Sequence, residues 1–147
     1  MTKAEINEFF QNAYPNLKEV FNTTVLKEIK TASQQDFHCV LLSGSYAELL
    51  RIVGRDLGID TVIGAELAFR DGIFDHRGGI PFINGKKKVA LLHNTFAGRI
   101  VNWAGSKCFA DSVADIELMQ LVGEPVAVNP DPGLLSYALD NQWKIVG

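Results

Sequence analysis

Asp111 and Asp115 stand four residues apart, directly after the short apolar run KCFA at 107–110. A carboxylate at the end of a buried strand and a second in the first turn of the following helix can face one pocket. Hard oxygen donors of this kind suit magnesium. A comparable place is Ser43-Gly44-Ser45, which follows the apolar run FHCVLL at 37–42. Its hydroxyls and backbone N–H groups face the start of the next helix, where unpaired donors and the helix dipole favour a phosphate. Lys88 opens a helix between these strands and can bring a point charge to that phosphate. Each residue also has an ordinary reading. An Asp before a helix is usually an N-cap, a Ser at a strand-to-helix junction is usually a turn residue, and a Lys that opens a helix is usually solvated. The order of all three at successive strand ends is more specific than any one of them.

Elements with the right period surround these residues. Ile6, Phe9, Phe10 and Ala13 recur at helical spacing before Tyr14-Pro15 interrupts the run, and Leu17, Val20, Phe21, Val25, Leu26 and Ile29 continue it to about Ala32. The run at 37–42 predicts a buried parallel strand closed by a glycine turn at 43–45. A helix over 46–57 follows, stopped by Gly58, with Leu49, Leu50, Ile52, Val53 and Leu57 toward the sheet. Residues 61–69 read as extended, and Asp71-Gly72 supplies a hairpin turn before Ile73-Phe74. A helix is expected from Lys88 to about Trp103, carrying Val89, Leu92, Phe96 and Ile100. Strands at 107–110, 125–128 and 143–146 alternate with short helices at 116–122 and 134–140. This alternation predicts an α/β fold, a three-layer Rossmann-like arrangement with a mainly parallel sheet and right-handed crossovers. Residues 1–34 form a helical segment and 35–147 the α/β core.

The composition narrows the function classes. At 147 residues, 47% hydrophobic and 21% charged, the chain suits one ordinary globular domain. A net charge of -3 gives no electrostatic reason to expect nucleic acid or an anionic membrane as partner. No stretch approaches eighteen apolar residues, and MTKAEINEFF lacks a signal pattern, so the expected location is the cytoplasm. Cys39 and Cys108 sit in apolar runs without CxxC or His/Cys spacing, which predicts buried thiols and no zinc.

The order strand–Ser, later Lys, then strand–Asp-Ser-x-x-Asp resembles motifs two, three and four of the haloacid-dehalogenase superfamily, in its phosphoserine-phosphatase-like branch. LLSGSYAELLRIVGRDLGID is similar to that branch's second motif, TVIGAELAFRDGIFD to its following hairpin, GKKKVALL to its lysine motif, and KCFADSVADIELMQLVGEPVAVNPDPGL to its last. The resemblance implies that Ser43 and Gly44 contact a phosphoryl oxygen, that Lys88 neutralises its charge, that Asp111 binds Mg2+, and that Asp115 supports the metal shell. Ala110 departs from the family's usual glycine before the aspartate. No Asp-x-Asp occurs anywhere in the sequence, although the family's first motif ends a central strand with one, its first Asp the nucleophile and its second the general acid/base.

The resemblance therefore implies an incomplete fold: residues 4–32 as the end of a helical cap, and the central strand absent. Its flanking strands would keep unpaired edges. Three solutions are open: the gap closes by direct pairing, another copy fills it, or a separate chain supplies it. A homo-oligomer or a complementing chain is the expected partner. Three readings follow: a truncated phosphatase-like protein with a residual phosphate and magnesium site and little or no activity alone; an active phosphomonoesterase completed by a partner chain; and a non-catalytic interaction module. A phosphorylated small molecule is the expected ligand in the first two.

Overall fold

The computed structural model describes residues 1–147 and divides them into two compact units, Met1–Ile83 and Asn84–Gly147. In the first unit, helix α1 (Lys3–Lys18) starts in a capping box, with Thr2 and Glu5 each bonding the other's backbone N–H. It continues through Pro15, where an interruption was expected. Proline removes one helical hydrogen bond, but tertiary contacts hold the last turn: Tyr14 Oη donates to Asp56 at 2.7 Å and Lys18 Nζ lies 2.7 Å from the same carboxylate. The break falls at residues 19–22 instead, where Asn22 caps helix α2 (Thr23–Gln34) by accepting from Val25 N.

Strand β1 (Val40–Tyr46) pairs in parallel with β2 (Thr61–Ala65) across helix α3 (Ala47–Leu57). Leu50, Ile52 and Val53 of α3 are buried, and Tyr14, Ile52 and Val53 form a cluster flanked by Phe10, Leu17, Phe21, Leu41 and Leu57. This is the face the apolar spacing indicates. Helix α3 ends at Gly58 in the left-handed region, with φ 70°. Strands β3 (Phe69–Arg70) and β4 (Ile73–Phe74) form the expected hairpin, with both turn residues, Asp71 and Gly72, at positive φ. The chain's own start pairs with it: Lys3 N donates to Gly72 O, and Phe74 N to Met1 O. The extended segment expected over 61–69 is interrupted between β2 and β3.

In the second unit, helix α4 (Gly85–Thr95) is shorter than the expected run to Trp103. It unwinds after Thr95, and Gly98 at φ 77° turns the chain out of the helical region. Ile100, expected on the helix face, lies fully exposed beyond it. Strands β5 (Lys107–Ala110), β6 (Glu124–Val128) and β7 (Lys144–Val146) form a parallel sheet in sequence order. Helix α5 (Ile116–Met119) links β5 to β6, and α6 (Pro132–Asp140) links β6 to β7. Met119, Ala127, Leu134 and Ala138 are fully buried, with Cys108, Ala110, Ile116 and Trp143 packed around them. The α/β class with parallel pairing is thus observed, as a two-stranded parallel sheet in the first unit and a three-stranded one in the second. No helix is long and apolar enough to cross a membrane.

Candidate active site

In open α/β sheets ligands bind beyond the carboxyl ends of the strands, and Asp111 directly follows the carboxyl end of β5. After it comes a single 3-10 turn, Val113–Asp115, capped by Ser112, whose Oγ accepts from Ala114 N at 3.2 Å. The capping duty expected of an Asp at this junction is therefore taken by Ser112. Helix α4 reaches the same turn through Gly85. A Cβ built on Gly85 would lie 1.9 Å from the Ala114 carbonyl oxygen, so only a glycine allows the helix start this close. One helical turn later Lys88 Nζ donates to Asp115 Oδ1 at 2.8 Å. Both side chains are largely enclosed, at 16% and 10% exposure.

Asp131 fastens the turn from the other side. It caps α6, Oδ1 accepting from Leu134 N at 2.8 Å, while Oδ2 accepts from Val113 N at 2.9 Å. Its own N–H donates to Asp111 O at 2.8 Å. These two backbone donors hold the Asp131 carboxyl below its usual range. Beneath the site, burial and the Asp115 charge push the Cys108 thiol up to about 12, partly opposed by Lys88. Both cysteines are half-buried, less enclosed than the buried-thiol reading expects, and Cys39 is likewise raised by burial and Asp60.

Of the expected residues, the structure brings Lys88 and Asp115 together. Asp111 stands exposed at the strand end. No three His, Cys, Asp or Glu side chains converge where a metal could sit. With Asp115 engaged by Lys88, these residues do not fit a magnesium site by themselves.

Ser43 and Gly44 belong to the first unit, where the glycine turn expected after β1 is an irregularity within the strand. Leu42 pairs with Ile63 and Tyr46 with Ala65, so β1 advances four residues while β2 advances two. Such a bulge re-aims side chains at a strand end. Ser43 Oγ accepts from Ser45 N at 3.1 Å. The start of α3 has no side-chain cap, and in its first turn the buried Glu48 leaves Oε2 without a partner.

Two residues that shape the second unit's site, Asp131 and Gly85, fall inside the motif-like stretches but receive no role from them. Asp131 reads as part of the tail, although Asp-Pro before an apolar helical run is an N-cap with proline at the first helical position. Gly85 reads as loop punctuation, and only the packing shows what it admits. A surface groove of about 570 Å³ lies at the amino ends of β6 and β7 near Glu124 and Lys144, away from this chemistry. A groove of about 440 Å³, lined by Asn84, Gly85, Lys86, Val113, Ala114, Ile116 and Glu117, adjoins the turn.

Comparison with known proteins gives a consistent result. The profile of the family described as haloacid dehalogenase-like hydrolase matches residues 1–120. The chain is 30% identical over 105 residues to phosphoserine phosphatase SerB1 of Mycobacterium tuberculosis, covering 71% of this chain and 34% of that protein. It is 29% identical over 125 residues to the inhibition of morphological differentiation protein of Streptomyces azureus, covering 84% of this chain and 43% of that one. The chain spans about a third of the length of the mycobacterial relatives it matches. A solved protein of unknown function from Bordetella pertussis superposes on the whole chain and on 68% of its own, with a TM-score of 0.89 at 20% identity. A phosphoserine phosphatase captured as a phospho-aspartyl intermediate analogue matches 82% of this chain and 56% of its own, with a TM-score of 0.62 at 18% identity. These structural likenesses show the fold.

Proposed function

Because the chain belongs to the haloacid dehalogenase-like hydrolase family, we propose that its residues hold the phosphoryl group of a phosphomonoester for a nucleophile that they do not themselves carry. The observation that supports this reading best is the enclosed Lys88–Asp115 contact of 2.8 Å beside the carboxyl end of β5. A cation fixed by a buried carboxylate is aimed before the ligand arrives, and preorganised charge of this kind stabilises phosphoryl transfer. In the first unit, taken by itself, Ser43 and Gly44 at the bulged end of β1 offer a hydroxyl and a backbone N–H of the kind that suits a phosphoryl oxygen. Asp111 is the exposed carboxylate at the β5 end and would be one ligand of a magnesium site completed by other carboxylates.

With no Asp-x-Asp in the sequence, the family's acceptor for an aspartyl-phosphate is missing, so little or no turnover is expected from these residues alone. A complementing chain would supply an apolar strand ending in Asp-x-Asp. β1 pairs only with β2 and β5 only with β6, and each leaves an edge to which a parallel strand can add. The ligand class is a phosphorylated small molecule; phosphoserine is the substrate named for relatives.

The test is hydrolysis of p-nitrophenyl phosphate with magnesium. The pure chain is expected to be inactive, and a co-expressed strand segment bearing Asp-x-Asp to restore turnover that Lys88→Met or Asp111→Asn removes. Activity in the pure chain, lost in Asp111→Asn, would place a nucleophile within these residues. Restored activity indifferent to Lys88→Met would remove the role given to Lys88.

A further inference from the structure

The carboxylate of Asp131 serves two backbones at once. Oδ1 caps α6 through Leu134 N, and Oδ2 holds Val113 N, in the middle of the turn joining Asp111 to Asp115. An N-cap needs only the first of these bonds. Two further contacts show that the turn and the α6 start are fitted to each other. Asp131 N donates to Asp111 O, and a Cβ on Gly133 would lie 3.0 Å from Val113 Cγ2, so a glycine in the first turn of α6 gives the Val113 side chain its room. The Asp115 at the end of this turn grips Lys88.

We propose that Asp131 is a positioning residue: its Oδ2–Val113 bond latches the 111–115 turn, and through Asp115 it fixes where the Lys88 ammonium stands for a phosphoryl group. This rests on the reading of Lys88 as a phosphate-binding residue. The latch is a property of one oxygen, which makes it separable from the cap. Asp131→Ser keeps a hydroxyl that caps as well as Asp does but lacks the second acceptor. Asp131→Asn keeps Oδ1 and places an amide donor against the Val113 N–H, donor facing donor.

Amide hydrogen exchange and 15N–1H spectra of the full chain, titrated with inorganic phosphate, decide the matter. In both variants Val113 N–H is expected to exchange about tenfold faster or more, as for loss of a bond to a charged acceptor, while Leu134 N–H keeps its protection. Phosphate affinity should fall about fivefold or more as the Lys88–Asp115 pair loses its anchor, an expectation scaled to one lost hydrogen bond. Unchanged Val113 exchange, or Val113 and Leu134 losing protection together, would make Asp131 a cap and nothing more. Unaltered phosphate affinity with a released Val113 would equally overturn the positioning role. A wild-type chain that ignores phosphate at Lys88 counts against the phosphate-binding reading and with it the positioning role, while Val113 exchange still reports whether the latch itself exists.

Discussion

Lys88 and Asp115 are oppositely charged, mostly out of water and in direct contact, and such pairs are costly to break singly and cheap to replace together. Lys88→Met alone should destabilise the second unit by roughly 3 kcal/mol, because it strands a buried carboxylate. Lys88→Met with Asp115→Leu should cost clearly less than the sum of the single changes. Urea unfolding of the three variants checks this, and additive costs would mean that the two charges are independently solvated. Gly85 presents a steric case instead. A methyl group 1.9 Å from the Ala114 carbonyl must push α4 off the turn, so Gly85→Ala should cost about 1–3 kcal/mol, the range for overpacking. Its phosphate affinity should fall as well, since Lys88 moves with the helix. A Gly85→Ala protein as stable as wild type would show that the two segments separate readily.

The contact of α1 with α3 depends on a hydrogen-bonded trio, Tyr14, Asp56 and Lys18. Lys18 and Tyr14 hold the Asp56 carboxyl below its ordinary 3.8. A lowered carboxyl stabilises the fold above its unfolded value and loses that contribution as pH falls through the folded one. Tyr14 is displaced the other way: burial, with the Asp56 bond and charge, raises it above its ordinary 10.0. Its contribution is complete below pH 10.0 and is lost as pH rises through the raised folded value. The thermal unfolding temperature should therefore fall on the acid side below pH 3.8 and on the alkaline side above pH 10.0. Tyr14→Phe should cost about 1 kcal/mol at neutral pH, for one hydrogen bond, and remove the alkaline loss that belongs to Tyr14. An alkaline limb undiminished in Tyr14→Phe would assign it to other groups. This trio also explains why Pro15 is tolerated: the turn that follows it is tied to α3 by Lys18.

At the scale of the whole chain, the open edges of β1 and β5 are the prominent features. Parallel strands are ordinarily covered and paired on both sides, and an exposed edge invites another strand. Self-association or capture of a complementing strand is therefore proposed as this chain's state in solution. Sedimentation velocity over a range of concentrations should show a species heavier than the monomer, shifting back to one-to-one complexes when an Asp-x-Asp strand segment is added. A stable monomer at high concentration, indifferent to that segment, would leave the edges without a partner.

The sequence by itself determined the α/β class, the sites of most strands and helices, the apolar face of α3, the Asp71-Gly72 hairpin and the family, because each is written in local period, turn chemistry or motif order. It also placed Lys88 and Asp115 in one motif set, though not in contact. Tertiary structure decided what local signals cannot carry. Pro15 stays helical because contacts distant in sequence outweigh one lost bond. α4 stops at Thr95 although its apolar spacing runs on, which leaves Ile100 in water. The Ser43–Ser45 turn is a bulge because its register depends on β2, and no single strand specifies its partner's register. Gly85 and Asp131 acquire meaning only from the backbone that each meets, Ala114 in one case and Val113 in the other, on segments 29 and 18 residues away.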